Sequence, residues 1–155
     1  MRVPAVAADV ENELLGVWKL ESSYLEVKAT GEKKSIYGGK PRGYIIFTPE
    51  RRLAAIITAE QRDKPNKDED CIAAFRSMLA YSGIYRVEGD QWITTVDVAW
   101  NEAWTGTEQV RTFRLDGDTL TVTSMWQPNV NLPDKPETRG VLRWSRVKGV
   151  PKLAI

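Results

Sequence analysis

Arg111 stands in the run Gln109-Val110-Arg111-Thr112-Phe113-Arg114-Leu115, where strict alternation sets its guanidinium on the side of Phe113 and Leu115. A guanidinium on an apolar face is costly unless it meets a carboxylate, water or an acidic ligand. Its planar donor fork matches a carboxylate or enolate head group. Three readings stay open: an anchor for such a ligand, a structural pair with a carboxylate such as Glu26, or a solvated side chain if the parity is reversed. Tyr24, Tyr85 and Gln109 are candidates for the same polar cluster. Glu102 lies in a connection that also carries Trp104, where desolvation would raise its pKa toward general-acid duty. A solvated loop carboxylate is the plainer reading of Glu102, and Asp97 reads as solvent-facing.

The chain has no histidine and one cysteine. That removes Ser-His-Asp and Cys-His nucleophile pairs, histidine-bearing zinc and iron sites, and internal disulfides. Cys71 is expected to be a buried, inert thiol. The acids Asp68, Glu69 and Asp70 lack the calcium-loop pattern and read as a helix N-terminus. Gly38, Gly39 and Gly43 around Lys40 match neither phosphate-binding glycine motif and read as turn chemistry. No metal and no cofactor is therefore expected. Lys and Arg number 22 against 21 Asp and Glu, a net charge of +1 without a basic cluster, which argues against nucleic acid as a partner.

Six tryptophans are the other chemical resource. Trp18, Trp92 and Trp144 sit mid-strand, where filling a core explains them. Trp100, Trp104 and Trp126 sit at strand ends beside loops, where lining the mouth of a pocket for a flat or polyene-like ligand is the stronger reading.

These residues need a scaffold that turns one face of many strands inward. At 155 residues, 42% hydrophobic and 28% charged, the chain fits one domain with a self-sufficient core. Period-two runs separated by turn residues predict strands over 16–27, 43–48, 53–59, 83–87, 92–100, 109–115, 120–126 and 139–147. In the first, Trp18, Leu20, Ser22 and Tyr24 are expected to point inward. The run 43–48 is apolar on both faces, so its inward side stays open. Trp92, Thr94, Val96, Val98 and Trp100 form the cleanest apolar face. Cys71, Ile72, Phe75, Met78 and Leu79 form a helical stripe that predicts an α-helix over about 68–81, with Gly83 closing it. Residues 128–136 read as a proline-rich excursion too polar for the core. The fold class is all-β, an antiparallel up-and-down barrel of about eight strands with that one inserted helix. Residues 1–13 read as an N-terminal extension, 14–147 as the barrel domain and 148–155 as a tail.

The segments Gly16-Val17-Trp18, PRGYIIFTPE (41–50), FRSMLAYSGIYRV (75–87), GTEQVRTFRLDGDTLTVTS (106–124) and LRWSRV (142–147) resemble the small lipocalin-like domain family of bacterial and fungal single-domain proteins. The resemblance spans most of residues 14–147. It implies a barrel with a hydrophobic cavity, and a basic residue from the last strand, Arg143 or Arg146, packed over Trp18. Two positions depart from the family pattern: Glu50-Arg51 replaces an Asp-Gly turn, and Thr94 and Thr95 stand where a histidine-bearing position is expected.

Two functions follow as expectations. The first is binding of a small hydrophobic ligand with an acidic or hydroxylated end, lined by Tyr24, Tyr85, Val96, Val98, Trp100, Trp104, Gln109, Arg111, Phe113, Trp126 and Trp144. The alternative is a cofactor-independent isomerase, cyclase or dehydratase in the same cavity, with Arg111 stabilising an enolate and Tyr85 or Glu102 moving the proton. A filled barrel acting through its surface is a third. The lack of a leader, a membrane-spanning run or a disulfide pair makes the cytoplasm the expected location, with no membrane partner and a homodimer left open.

Overall fold

The computed structural model describes residues 5–149. Ten strands occur in chain order: β1 (Gly16–Val27), β2 (Lys33–Lys34), β3 (Arg42–Phe47), β4 (Arg52–Thr58), β5 (Met78–Glu88), β6 (Gln91–Ala99), β7 (Glu108–Asp116), β8 (Thr119–Ser124), β9 (Gln127–Pro128) and β10 (Glu137–Arg146). Eight of them pair antiparallel in the order β1-β3-β4-β5-β6-β7-β8-β10, and β10 returns to β1 to close a barrel. The short β2 and β9 attach to β1 and β10. Closure removes the exposed sheet edges that an open meander of this size would leave.

Burial fixes the inward face that the sequence left open over 43–48. Gly43, Ile45 and Phe47 point in while Tyr44 and Ile46 point out, because their partners on β4 turn Leu53, Ala55 and Ile57 to the core. Two expected faces are corrected, each by a β-bulge. On β1 the register slips between Leu20 and Ser22, so Trp18 and Leu20 are buried but Ser22 and Tyr24 turn outward and Leu25 and Val27 take the core side. On β6 the slip falls between the partners Ser82 and Gly83, so Trp92, Thr94 and Val96 are buried while Val98 is 65% exposed on the outer surface. One extra residue reverses every later side chain.

The helix is also corrected. Helix α2 spans Asp68–Arg76, and none of its residues is buried. Asp70 does serve its start, accepting from the Asn66 and Lys67 amides at 3.1 and 3.2 Å. Met78 and Leu79 instead begin β5, whose inward residues Leu79, Tyr81, Gly83 and Tyr85 alternate regularly. Cys71, expected to be buried, is exposed because the helix lies outside the barrel.

One barrel end is sealed by helix α1 (Ala5–Leu14), whose Leu14 is fully buried. The Trp18 indole donates to Leu14 O at 2.9 Å. The choice between the two arginines is resolved: the Arg146 guanidinium lies 4.3 Å over the Trp18 ring, and Arg143 is exposed. Arg146 also donates to Glu13 O at 2.7 Å, Leu15 O at 3.3 Å and Asp118 Oδ1 at 3.2 Å. Arg146→Ala should therefore cost about 2 kcal/mol in urea unfolding, through lost carbonyl contacts and cation–π attraction. Arg146→Lys should recover only part, having no planar fork.

On the outer surface Asp97, expected to be solvent-facing, is half-exposed and held by Arg52 through two bonds of 3.0 and 2.7 Å. The Arg52 hydrogen bonds hold the Asp97 carboxyl below its ordinary value. A group with a depressed folded-state pKa stabilises above its unfolded value and loses that contribution as pH falls through the folded one. Asp97→Asn should thus lower neutral-pH stability slightly, as expected for an exposed pair, leave stability below the folded-state value nearly unchanged, and so flatten the acid limb of the profile.

Candidate functional site

At the end of the barrel opposite α1 the inward residues do not fill the space, and a cavity of about 110 Å³ remains. Its walls are apolar: Leu25, Ile45, Ala55, Ile57, Val122 and Leu142 come from five strands, and Trp92 and Trp144 from opposite sides. The connection after β6 folds inward to complete one wall. There the Asn101 side chain accepts from the Ala103 amide at 3.0 Å and starts a 3-10 turn over Glu102–Trp104 that tucks Trp104 into the barrel. Trp104 meets Trp100 edge-on at 5.1 Å and Tyr81 at 5.2 Å between ring centroids.

Arg111 enters this aromatic corner. It is 7% exposed, its guanidinium lies 5.7 Å from the Trp104 ring and 6.0 Å from the Tyr81 ring, and Nη1 donates to the Val110 carbonyl at 3.0 Å. The expected partner Glu26 is engaged elsewhere, accepting from Arg139 at 3.0 and 3.2 Å. Among the described residues, Arg111 forms no ion pair with any carboxylate. A guanidinium carries five donors, so four have no bond among the described residues.

The roof comes from two segments. Ile36 and Tyr37 approach from the connection before β3, and Val130 and Asn131 from the excursion over 128–136, which was expected to stay clear of the core. Asn131 is 6% exposed and donates to Met78 O at 2.8 Å, tying that excursion to β5. Burial pushes the Tyr37 hydroxyl up to about 12, against a smaller opposing pull from neighbouring Asn131, so it remains a neutral donor at physiological pH.

Of the side chains expected at the site, Trp100, Trp104, Arg111 and Trp144 line the cavity. Tyr24 borders it, but its ring is turned out by the bulge and lies 5.2 Å below Lys33 Nζ. Val96, Gln109 and Phe113 are buried without reaching it; Phe113 packs on Trp92 at 5.2 Å, and Gln109 donates to Thr107 Oγ1 at 2.9 Å. Three expectations of placement are corrected. Tyr85 packs edge-on against Phe47 at 5.2 Å, and its hydroxyl is shifted up by burial and then by Glu11, a residue of the α1 end. Val98 faces outward beyond the β6 bulge. Trp126 lies outside, with Arg139 4.6 Å above its ring and Lys28 at 6.0 Å. Glu102 is exposed, in keeping with its plainer reading as a solvated loop carboxylate, and accepts from Thr105 Oγ1 at 3.2 Å.

Sequence reasoning missed Tyr81, Tyr37 and Asn131 as lining residues. Tyr81 was recoverable, because Leu79, Tyr81, Gly83 and Tyr85 already alternate. Nothing in the local pattern marks Tyr37 or Asn131.

Among the described residues no group of three or more Cys, Asp and Glu is placed to hold a metal, and no helix is long and apolar enough to cross a membrane. The profile of a family described as a lipocalin-like domain matches residues 15–147, which takes in every strand of the closed barrel. No curated protein matches the chain.

Proposed function

Because the chain belongs to the lipocalin-like domain family, whose barrel suits ligand binding in general, we propose that its barrel domain, taken as 14–147, binds a small hydrophobic molecule with an acidic or hydroxylated end. The observation that carries this reading is Arg111: 7% exposed, bonded to one carbonyl, and facing a cavity whose walls are otherwise mostly apolar. Burying a guanidinium with most of its donors unused is expensive. An acidic head group arriving in the cavity offsets that cost and gains charge-assisted bonds in a dry site. Trp92, Trp100, Trp104 and Trp144 supply contact area for the ligand's body.

The catalytic alternative has less support. Tyr85 and Glu102, the side chains assigned to move protons, face the sealed end and the outer surface. The reading therefore rests on sequestration or carriage, with a small molecule rather than nucleic acid as partner. A chain with a single cysteine is consistent with a cytoplasmic setting.

Tryptophan emission tests the proposal, since four of the six indoles line the cavity. Titration with small hydrophobic acids should give a saturable quench or blue shift. An emission spectrum that stays constant to millimolar concentrations of every such acid would remove the proposal.

A further inference from the structure

Donors without partners divide into two kinds here. The indole N–H groups of Trp92, Trp100 and Trp144 find no acceptor among the described residues, but each nitrogen is itself shut off from the cavity, which these side chains line with other ring atoms. The Arg111 guanidinium differs: among the described residues it bonds only to the Val110 carbonyl, and its other nitrogens are not shut away, so they stay reachable from the cavity it lines. A reachable guanidinium on a mostly apolar cavity is an unmet demand for acceptors.

Size and shape narrow the ligand further. About 110 Å³ is close to the ~150 Å³ of an apolar cavity that accepts benzene, and well below the ~300 Å³ at which drug-sized pockets begin. The corner around Arg111 is built from ring faces and edges, with Tyr81, Trp104 and Trp100 in successive edge-on contact. Such walls favour a planar partner over a flexible chain.

We infer that the ligand is a compact planar acid, an aryl or conjugated carboxylate, whose carboxylate meets Arg111 and whose ring packs into the corner of Tyr81, Trp104 and Trp100. The inference rests on the binding function proposed above and specifies its ligand class.

Four probes of similar size separate the elements of the claim: benzoate, benzyl alcohol, hexanoate and benzylammonium. Each is titrated by calorimetry and by proton–nitrogen correlation spectra of the uniformly labelled protein, with the indole peaks assigned through space. Benzoate should bind about tenfold tighter than any of the other three. It should shift the indole peaks of Trp100 and Trp104, whose rings form the corner beside Arg111, and leave that of Trp18 in place. Hexanoate binding as tightly as benzoate would overturn the planar element while leaving the binding of hydrophobic acids intact. Benzyl alcohol or benzylammonium matching benzoate would overturn the acidic element. Benzoate binding without movement of the Trp100 and Trp104 peaks would overturn the aromatic corner as its seat. Failure of both acids to bind would take the proposed function with it.

Discussion

Arg111→Met should raise the unfolding free energy of the ligand-free protein by about 1–3 kcal/mol, the opposite of what most core substitutions do. Methionine has a similar length, bends into irregular space and carries no charge to desolvate. What the substitution removes is small: one bond to the Val110 carbonyl and two cation–π contacts at 5.7 and 6.0 Å. What it relieves is a guanidinium with no carboxylate partner among the described residues, held beside Trp104 and Tyr81. Residues retained at a cost to stability are the signature of sites where function outweighs packing. Urea unfolding of both proteins at neutral pH measures the difference. A fall of 2 kcal/mol or so would identify Arg111 as a structural residue whose partner is the aromatic corner itself.

Gly83→Ala should do far more damage, on the order of 4 kcal/mol or above, enough to leave little folded protein. A Cβ built at Gly83 would lie 2.1 Å from the Thr95 carbonyl oxygen, 2.7 Å from its carbon and 2.9 Å from Val96 Cα. All three are backbone atoms of β6, so no side chain can rotate away. Gly83 sits where the bulge shifts the register between Ser82 and Gly83, and the bulge is what presses the two strands together. Soluble yield and circular dichroism of the variant check this. Native-like spectra with an unchanged melting point would mean that the bulge relaxes at little cost, and the outward turn of Val98 would then lose its explanation.

Gly83 also shows how far the sequence could be read. Alternation alone placed Arg111, Gln109 and Phe113 on the inner face of β7, because that strand runs through its pairings without a slip. The same reasoning misplaced Tyr24 and Val98, since each lies beyond a bulge and a bulge leaves no mark in a pattern of alternating residue types. The helix was overextended for another reason. Met78 and Leu79 satisfy both the helical stripe and the strand alternation, and only pairing with Thr58 and Ile57 on β4 decides between them. Tyr37 and Asn131 reach the cavity through loop geometry, which depends on contacts such as Asn131 to Met78 O that span 53 residues. Barrel closure, the inner face of β7 and the tryptophan-rich wall were therefore legible. The roof and the two reversals were not.

If the buried guanidinium is held ready for a ligand's acid group, losing it must cost affinity. Calorimetric titration of benzoate against the unaltered protein and Arg111→Met, side by side at one pH and salt concentration, measures that cost. The substitution should weaken binding by about 30-fold or more, as expected when one member of a desolvated charge pair is removed. Equal affinity in the two proteins would contradict it.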